Sequence, residues 1–123
     1  MRLVIVDDNP SVRAVIRQIL QQDIEIEIVA EAADGLTAVE RTIELLPDVV
    51  VMDIRMPRLN GIEATKRIKA HAPGAMVIGI STFSDLEARG EMAAAGCAAF
   101  LPKEFLIDLP LVLQRVARKQ TPI

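Results

Sequence analysis

The sequence predicts a three-layer α/β domain built on a parallel sheet. Two observations carry this. Short apolar runs alternate five times with segments whose apolar residues recur at helical spacing, the pattern of repeated βαβ units. The central runs, Val49 to Met52 and Met76 to Ile80, are apolar at nearly every position, as strands buried on both faces must be.

Taken in order, Leu3 to Val6 forms the first strand. Val12, Val15, Ile16, Ile19 and Leu20 then make one helical stripe, with Asn9 as its cap and Pro10 at the first turn, where a missing N–H costs nothing. Ile24, Ile26 and Ile28 alternate with Glu25 and Glu27 and run on through Val29 and Ala30, a half-buried strand suited to a sheet edge. Asp34-Gly35 opens a second helix with Leu36, Val39, Ile43 and Leu46 inward, stopped by Pro47 before the third strand. Asn60-Gly61 opens a third helix, to about Ala70, with Ile62, Ala64, Thr65 and Ile68 inward. After the fourth strand, Ser84 or Asp85 caps a helix that Gly96 closes. That fourth helix reads as weakly anchored, with Gly90 in its interior and little beyond Met92 and alanines to bury. Ala98 to Leu101 is the fifth strand, and a last helix follows with Asp108 as cap and Leu109, Val112, Leu113 and Val116 inward.

Composition narrows the function. A chain of 123 residues, 51% hydrophobic with net charge −3, fits one domain and carries no basic run of the kind that tracks nucleic acid. One cysteine, Cys97, allows no internal disulfide, and one histidine, His71, leaves no Cys/His zinc cluster. No apolar run approaches the roughly 18 residues of a membrane span. The expectation is a cytoplasmic protein that binds neither membrane nor nucleic acid directly.

Polar residues fall in one place. Taken alone, Asp53 at the end of VVVMD reads as a turn residue. Yet the first strand also ends in acids, Asp7 and Asp8, the fourth in Ser81 and Thr82, and the fifth leads to Lys103. In an open α/β sheet those carboxyl ends meet in the crevice where ligands bind.

The motifs LVIVDD, VVVMDIRMPRLNGIEAT, VIGIS and GCAAFLPK together resemble the receiver domain of two-component response regulators, over the whole chain. The wording DIRMPRLNGIEATKRI, with ADG earlier, is similar to receivers that carry a helix-turn-helix DNA-binding output domain. The resemblance implies a single doubly wound, flavodoxin-like sheet of order 2-1-3-4-5 flanked by five helices. It also implies one receiver unit over residues 1–123 with no output domain, or else the receiver part of a DNA-binding transcriptional regulator. Asp53 is then the phosphoacceptor, with a phosphohistidine on a sensor kinase, or a phosphotransfer protein, as donor.

Three acids this close repel, by about 4 kcal/mol per pair of charges at 4 Å and an effective dielectric near 20. A carboxylate and water ligand set suits Mg²⁺. Asp8 and Asp53 are the expected ligands, Asp7 acts through water, and the resemblance adds the Arg55 carbonyl. Lys103 and the Ser81 hydroxyl complete the phosphoryl site. The resemblance further implies a switch from Ser81 to Phe100, which stands where the family often has tyrosine, and a phosphate lifetime set by Arg55 and Phe83. Pro102 precedes Lys103 and Glu104 follows it, where many receivers have proline; a trans Lys103–Glu104 bond is expected.

The output face expected from the sequence is the fourth helix, fifth strand and fifth helix, meeting a downstream partner or a second copy. The weak fourth helix and the surplus of apolar residues Leu106, Ile107 and Leu111 support it. An aspartyl phosphohydrolase of the haloacid-dehalogenase kind requires an acid where Arg55 stands, a dinucleotide site requires a glycine-rich turn where VDDNPS stands, and a pseudo-receiver scaffold has usually lost an acid or the lysine.

Overall fold

The computed structural model describes residues 1–82 and 85–120. Five strands, β1 (Arg2–Val6), β2 (Glu27–Ala32), β3 (Val49–Asp53), β4 (Met76–Ser81) and β5 (Ala99–Pro102), alternate with α1 (Pro10–Leu20), α2 (Gly35–Leu45), α3 (Gly61–His71) and α4 (Leu86–Ala95). A 3-10 helix, Lys103–Asp108, then leads into α5 (Leu109–Gln120). All pairings are parallel, and the order is β2-β1-β3-β4-β5. This is the doubly wound sheet the sequence predicts.

Side-chain alternation divides the core in two. Val4, Val50, Met52 and Val77 pack with Ala38, Ile62, Ile68 and Met92 under α2, α3 and α4, whereas Leu3, Ile5, Val51 and Ile78 pack with Ile16, Leu20, Leu109 and Leu113 under α1 and α5. Strands sandwiched this way have no face for polar residues, so the acids and hydroxyls are displaced to the strand ends.

Helix starts follow the expected chemistry. The side chains of Asn9, Asp34 and Asn60 accept from Ser11 N, Thr37 N and Glu63 N, and Gly96 closes α4 at φ 108°. Elsewhere the chain departs from its pattern. The second strand does not start at Ile24, which is 99% exposed. Asp23 accepts Glu25 N on its carboxylate and Ile26 N on its carbonyl, turning the chain until Glu27. In α2 the inward stripe is Gly35, Ala38, Val39 and Thr42; Ile43 and Leu46 are exposed. A Cβ on Gly35 would lie 2.0 Å from the Leu59 carbonyl oxygen, so close approach selects the face of small residues. Val15 in α1 is likewise exposed.

Helix α4 buries only what the sequence offers, Met92 with Ala88 and Ala95, the Met92 sulfur lying 3.7 Å from Thr65 Oγ1, whose hydroxyl donates to Gly61 O at 2.7 Å. One expectation about the second half is corrected. The last helix does not begin at a capping Asp108 but continues out of the 3-10 segment, which turns Leu106 into the core beside Leu109. Ile107 is 74% exposed and lines a groove with Gln18 and Ile19 of α1, on the side away from α4. No peptide bond among the described residues is cis, so Lys103–Glu104 is trans.

Candidate functional site

The site grows out of strand register. Leu3 pairs with Val49 and Asp53 with Ile80, while Ser81 pairs with Pro102, so the carboxyl ends of β1, β3, β4 and β5 finish level with one another. Asp7 continues β1, its N–H donating to Ala32 O at 3.1 Å. Its Oδ1 accepts from Asn9 N at 2.9 Å, and Arg13 Nη1 donates to its carbonyl at 2.6 Å. Asp7 is therefore fixed from three sides and fully buried.

Asp53, the last residue of β3, is 2% exposed. Its position depends on Gly61, where a Cβ would lie 2.0 Å from the Asp53 carbonyl oxygen and whose N–H donates to Ile54 O at 2.8 Å. The start of α3 is thus pressed against the end of β3, clamping the loop between them. Carboxylate oxygens of Asp7, Asp8 and Asp53 lie within 4.8 Å of one another, with Asp8 on the exposed side. Lys103 enters from beyond β5, its Nζ 2.8 Å from Asp7 Oδ2 and 3.2 Å from Asp53 Oδ1.

The electrostatics follow from this crowding. Burial first, then the charge of Asp7, pushes the Asp53 carboxyl up to about 7 against the opposing pull of Lys103. Burial works against the Lys103 ammonium, but the contact with Asp7 and the charge of Asp53 outweigh it and hold Lys103 above its ordinary value. One ammonium cannot neutralise three carboxylates. Asp7 Oδ2 is buried and takes no hydrogen bond of good geometry, leaving Lys103 as its ionic neighbour. A buried oxygen with that deficit, in a cluster of acids, fits a hard cation that carries water.

Ser81 closes β4, buried, with its Oγ donating to Asp85 Oδ2 at 3.3 Å. Its side chain shares the α4 face of the sheet with Gly79 and Phe100, which are register partners. Phe100 is half-buried against that core, and the Arg89 guanidinium lies 5.8 Å from its ring centroid. Phe83 lies outside the described residues.

Sequence reasoning misses one contact and three roles. Arg55 is expected to lend a carbonyl ligand and to set the phosphate lifetime, but its side chain also grips Asp85 through Nε at 3.0 Å and Nη2 at 3.1 Å. These hydrogen bonds hold the Asp85 carboxyl below its usual range. The sequence offers Asp85 only as a candidate cap. Arg13 braces Asp7. Gly79 makes room for Met92 and Phe100, since a Cβ there would meet Met92 Cε at 2.9 Å and Phe100 Cδ2 at 3.1 Å. A glycine inside the β-branched run VIGIS is the signal that marks such a close approach.

Known proteins match this arrangement along nearly all of the chain. The response regulator receiver domain family matches residues 3–116. Over 105 residues, 84% of this chain and 29% of the relative, it is 43% identical to protein-glutamate methylesterase/protein-glutamine glutaminase 5 of Geobacter metallireducens. It is 37% identical over 108 residues to the transcriptional regulatory protein LnrK of Bacillus subtilis, covering 88% of this chain and 49% of that one. The response regulator domain of Thermotoga maritima CheB superposes with a TM-score of 0.87 at 34% identity, covering 99% of this chain and 98% of that domain. The chain spans less than a third of the methylesterase and about half of LnrK, so the likeness concerns one part of each. The chain belongs to the receiver domain family of two-component response regulators.

Proposed function

We propose that Asp53 is the phosphoacceptor of this receiver and that its phosphorylation, drawn from a phosphohistidine on a sensor kinase or phosphotransfer protein, switches the domain between two states. The observation that carries the reading is the convergence of Asp7, Asp8 and Asp53 with the Lys103 ammonium at one mouth of the sheet. An oxygen of Asp53 attacks phosphorus, the bond from phosphorus to the donor's imidazole nitrogen breaks, and that nitrogen leaves with the bonding pair. Lys103, already beside Asp53, takes a phosphoryl oxygen, and the Ser81 hydroxyl donates to another.

Asp8 and Asp53 would hold Mg²⁺, with Asp7 acting through water and the Arg55 carbonyl as a further ligand. When bound, the ion would supply charge neutralisation for the crowded carboxylates and the incoming phosphoryl group. An acyl phosphate hydrolyses spontaneously, so the protein acts as a timed switch with self-catalysed transfer and slow self-dephosphorylation rather than as a turnover enzyme. By analogy with the family, Arg55 and Phe83 govern the phosphate lifetime.

The switch passes from Ser81 to Phe100 and the α4–β5–α5 face, which meets a downstream target or a second copy. The shared sheet face of Ser81, Gly79 and Phe100 supports this route. The exposed Ile107 no longer does, because it faces α1. A cytoplasmic location accords with the family, and no described helix is long and apolar enough to cross a membrane. The relatives combine such a part with esterase or transcriptional functions; the similarity to LnrK supports, as a second reading, service as the receiver part of a transcriptional regulator.

Intact mass after incubation with acetyl phosphate tests the assignment. One phosphoryl group is expected, dependent on Mg²⁺, lost on chelation and absent from Asp53→Asn. Equal labelling of Asp53→Asn removes Asp53 from the role.

A further inference from the structure

Ser81 is 3% exposed, so its hydroxyl needs a partner within the fold. The partner it has is Asp85 Oδ2, at 3.3 Å. Asp85 stands at the N-cap of α4, where a carboxylate ordinarily accepts from the helix's own first amides, yet it closes no capping hydrogen bond of good geometry, the Ala88 N–H only helping to hold its carboxyl low. Its oxygens are turned instead to Arg55, one on Nε at 3.0 Å and the other on Nη2 at 3.1 Å, the two-point geometry of a guanidinium on a carboxylate. Arg55 lies two residues beyond Asp53. One continuous chain of hydrogen bonds therefore ties the loop after β3, the end of β4 and the start of α4 across the mouth of the phosphoryl site.

We propose that Arg55 and Asp85 are positioning residues for phosphoryl transfer: Arg55 pins Asp85, Asp85 holds the Ser81 hydroxyl in the resting arrangement, and the phosphorylated state forms only when that hydroxyl is handed over. The proposal rests on the reading of Asp53 as phosphoacceptor and adds what the phosphoryl group must compete against.

The physical case is a contest for one proton donor. A serine hydroxyl donates one hydrogen bond at a time, and both the Asp85 carboxylate and a phosphoryl oxygen on Asp53 are charged acceptors. At 3.3 Å the resting bond is longer than the common 2.7–2.8 Å of O–H···O bonds, so it restrains the hydroxyl without trapping it. Arg55 is 71% exposed, so its ion pair adds little to folding stability. What it supplies is direction. With Arg55 gone, Asp85 is free to turn fully toward the first amides of α4, of which Ala88 N–H already bears on its carboxylate, and release Ser81. Both truncations therefore shift the domain toward the phosphorylated arrangement.

The test is binding of beryllofluoride, a phosphoryl mimic, at saturating Mg²⁺. Because the chain has no Trp or Tyr, titrations are followed by amide chemical shifts. Asp85→Ala is expected to bind about three- to tenfold more tightly than the wild type, the worth of one released hydrogen bond. Arg55→Ala is expected to gain in the same direction by less. Mg²⁺ affinity measured without the mimic should stay at its wild-type value in Asp85→Ala, which a general loosening of the site would not allow. In a Ser81→Ala background both gains should vanish. Unchanged beryllofluoride affinity in Asp85→Ala and Arg55→Ala overturns the proposal. So does a gain that persists without the Ser81 hydroxyl, since that marks a through-space charge effect. If the wild type binds no beryllofluoride and acetyl phosphate leaves Asp53 unlabelled, the phosphoacceptor reading itself has failed. If the wild type binds and only the variants fail to differ, the clasp alone is wrong.

Discussion

Metal-free protein should become less stable as pH rises from about 4 to about 7, and Asp53→Asn should remove that loss. The Asp53 carboxyl moves from 3.8 in the unfolded chain to about 7 in the fold. Between those values the folded state holds a proton that the unfolded state has released, so stability falls with rising pH across that window and levels off above it. Each unit of pKa difference is worth about 1.36 kcal/mol, which gives up to about 4 kcal/mol lost by pH 8. An asparagine is neutral throughout and approximates the protonated acid. Urea unfolding in the presence of a chelator, at a series of pH values, reads the difference. Asp53→Asn and the wild type should nearly coincide at pH 4 and separate progressively until the variant is the more stable by several kcal/mol at pH 8. A difference that stays constant with pH, or a wild type more stable at pH 8, refutes the claim that burial and the charge of Asp7 strain Asp53.

Mg²⁺ at about 100 times its dissociation constant should restore about 2.7 kcal/mol at pH 8, and less at pH 5, where Asp53 is protonated; urea midpoints with and without the ion check both values. Lys103→Ala leaves the buried carboxylates without their ammonium and should cost the metal-free fold about 3 kcal/mol at pH 8, much of it regained with Mg²⁺ in the same assay. Gly61→Ala drives a Cβ against the Asp53 carbonyl oxygen, so it should destabilise by about 1–3 kcal/mol and slow labelling by acetyl phosphate as Asp53 is displaced.

What the sequence disclosed, and what it hid, divides along physical lines. Strands β1, β3 and β4 were legible because a strand covered on both faces must be apolar at nearly every position. The caps at Asn9 and Asn60 were legible because they act on amides two or three residues away. The Asp7, Asp8, Asp53 and Lys103 grouping was legible because parallel strands bring their ends together whatever lies between. The face of α2 was hidden because periodicity favours large apolar residues, whereas contact with the Leu59 carbonyl demands small ones. The start of β2 was hidden by an alternation that the Asp23 turn overrides. The 3-10 segment kept the apolar content of a helix, and nothing periodic separates Leu106, which is buried, from Ile107, which is not. The Arg55–Asp85 pair joins two loops 30 residues apart, and no local pattern encodes such a contact.

The most direct test of Asp53 as the acceptor is chemical trapping. An aspartyl phosphate is an acyl phosphate, and borohydride reduces it to an alcohol, turning the labelled aspartate into homoserine while free carboxylates are untouched. After treatment with acetyl phosphate and Mg²⁺, reduction, proteolysis and peptide mass sequencing should place homoserine at position 53 and nowhere else. Homoserine at position 7 or 8, or none at any aspartate despite a phosphoryl group on the intact protein, contradicts the account.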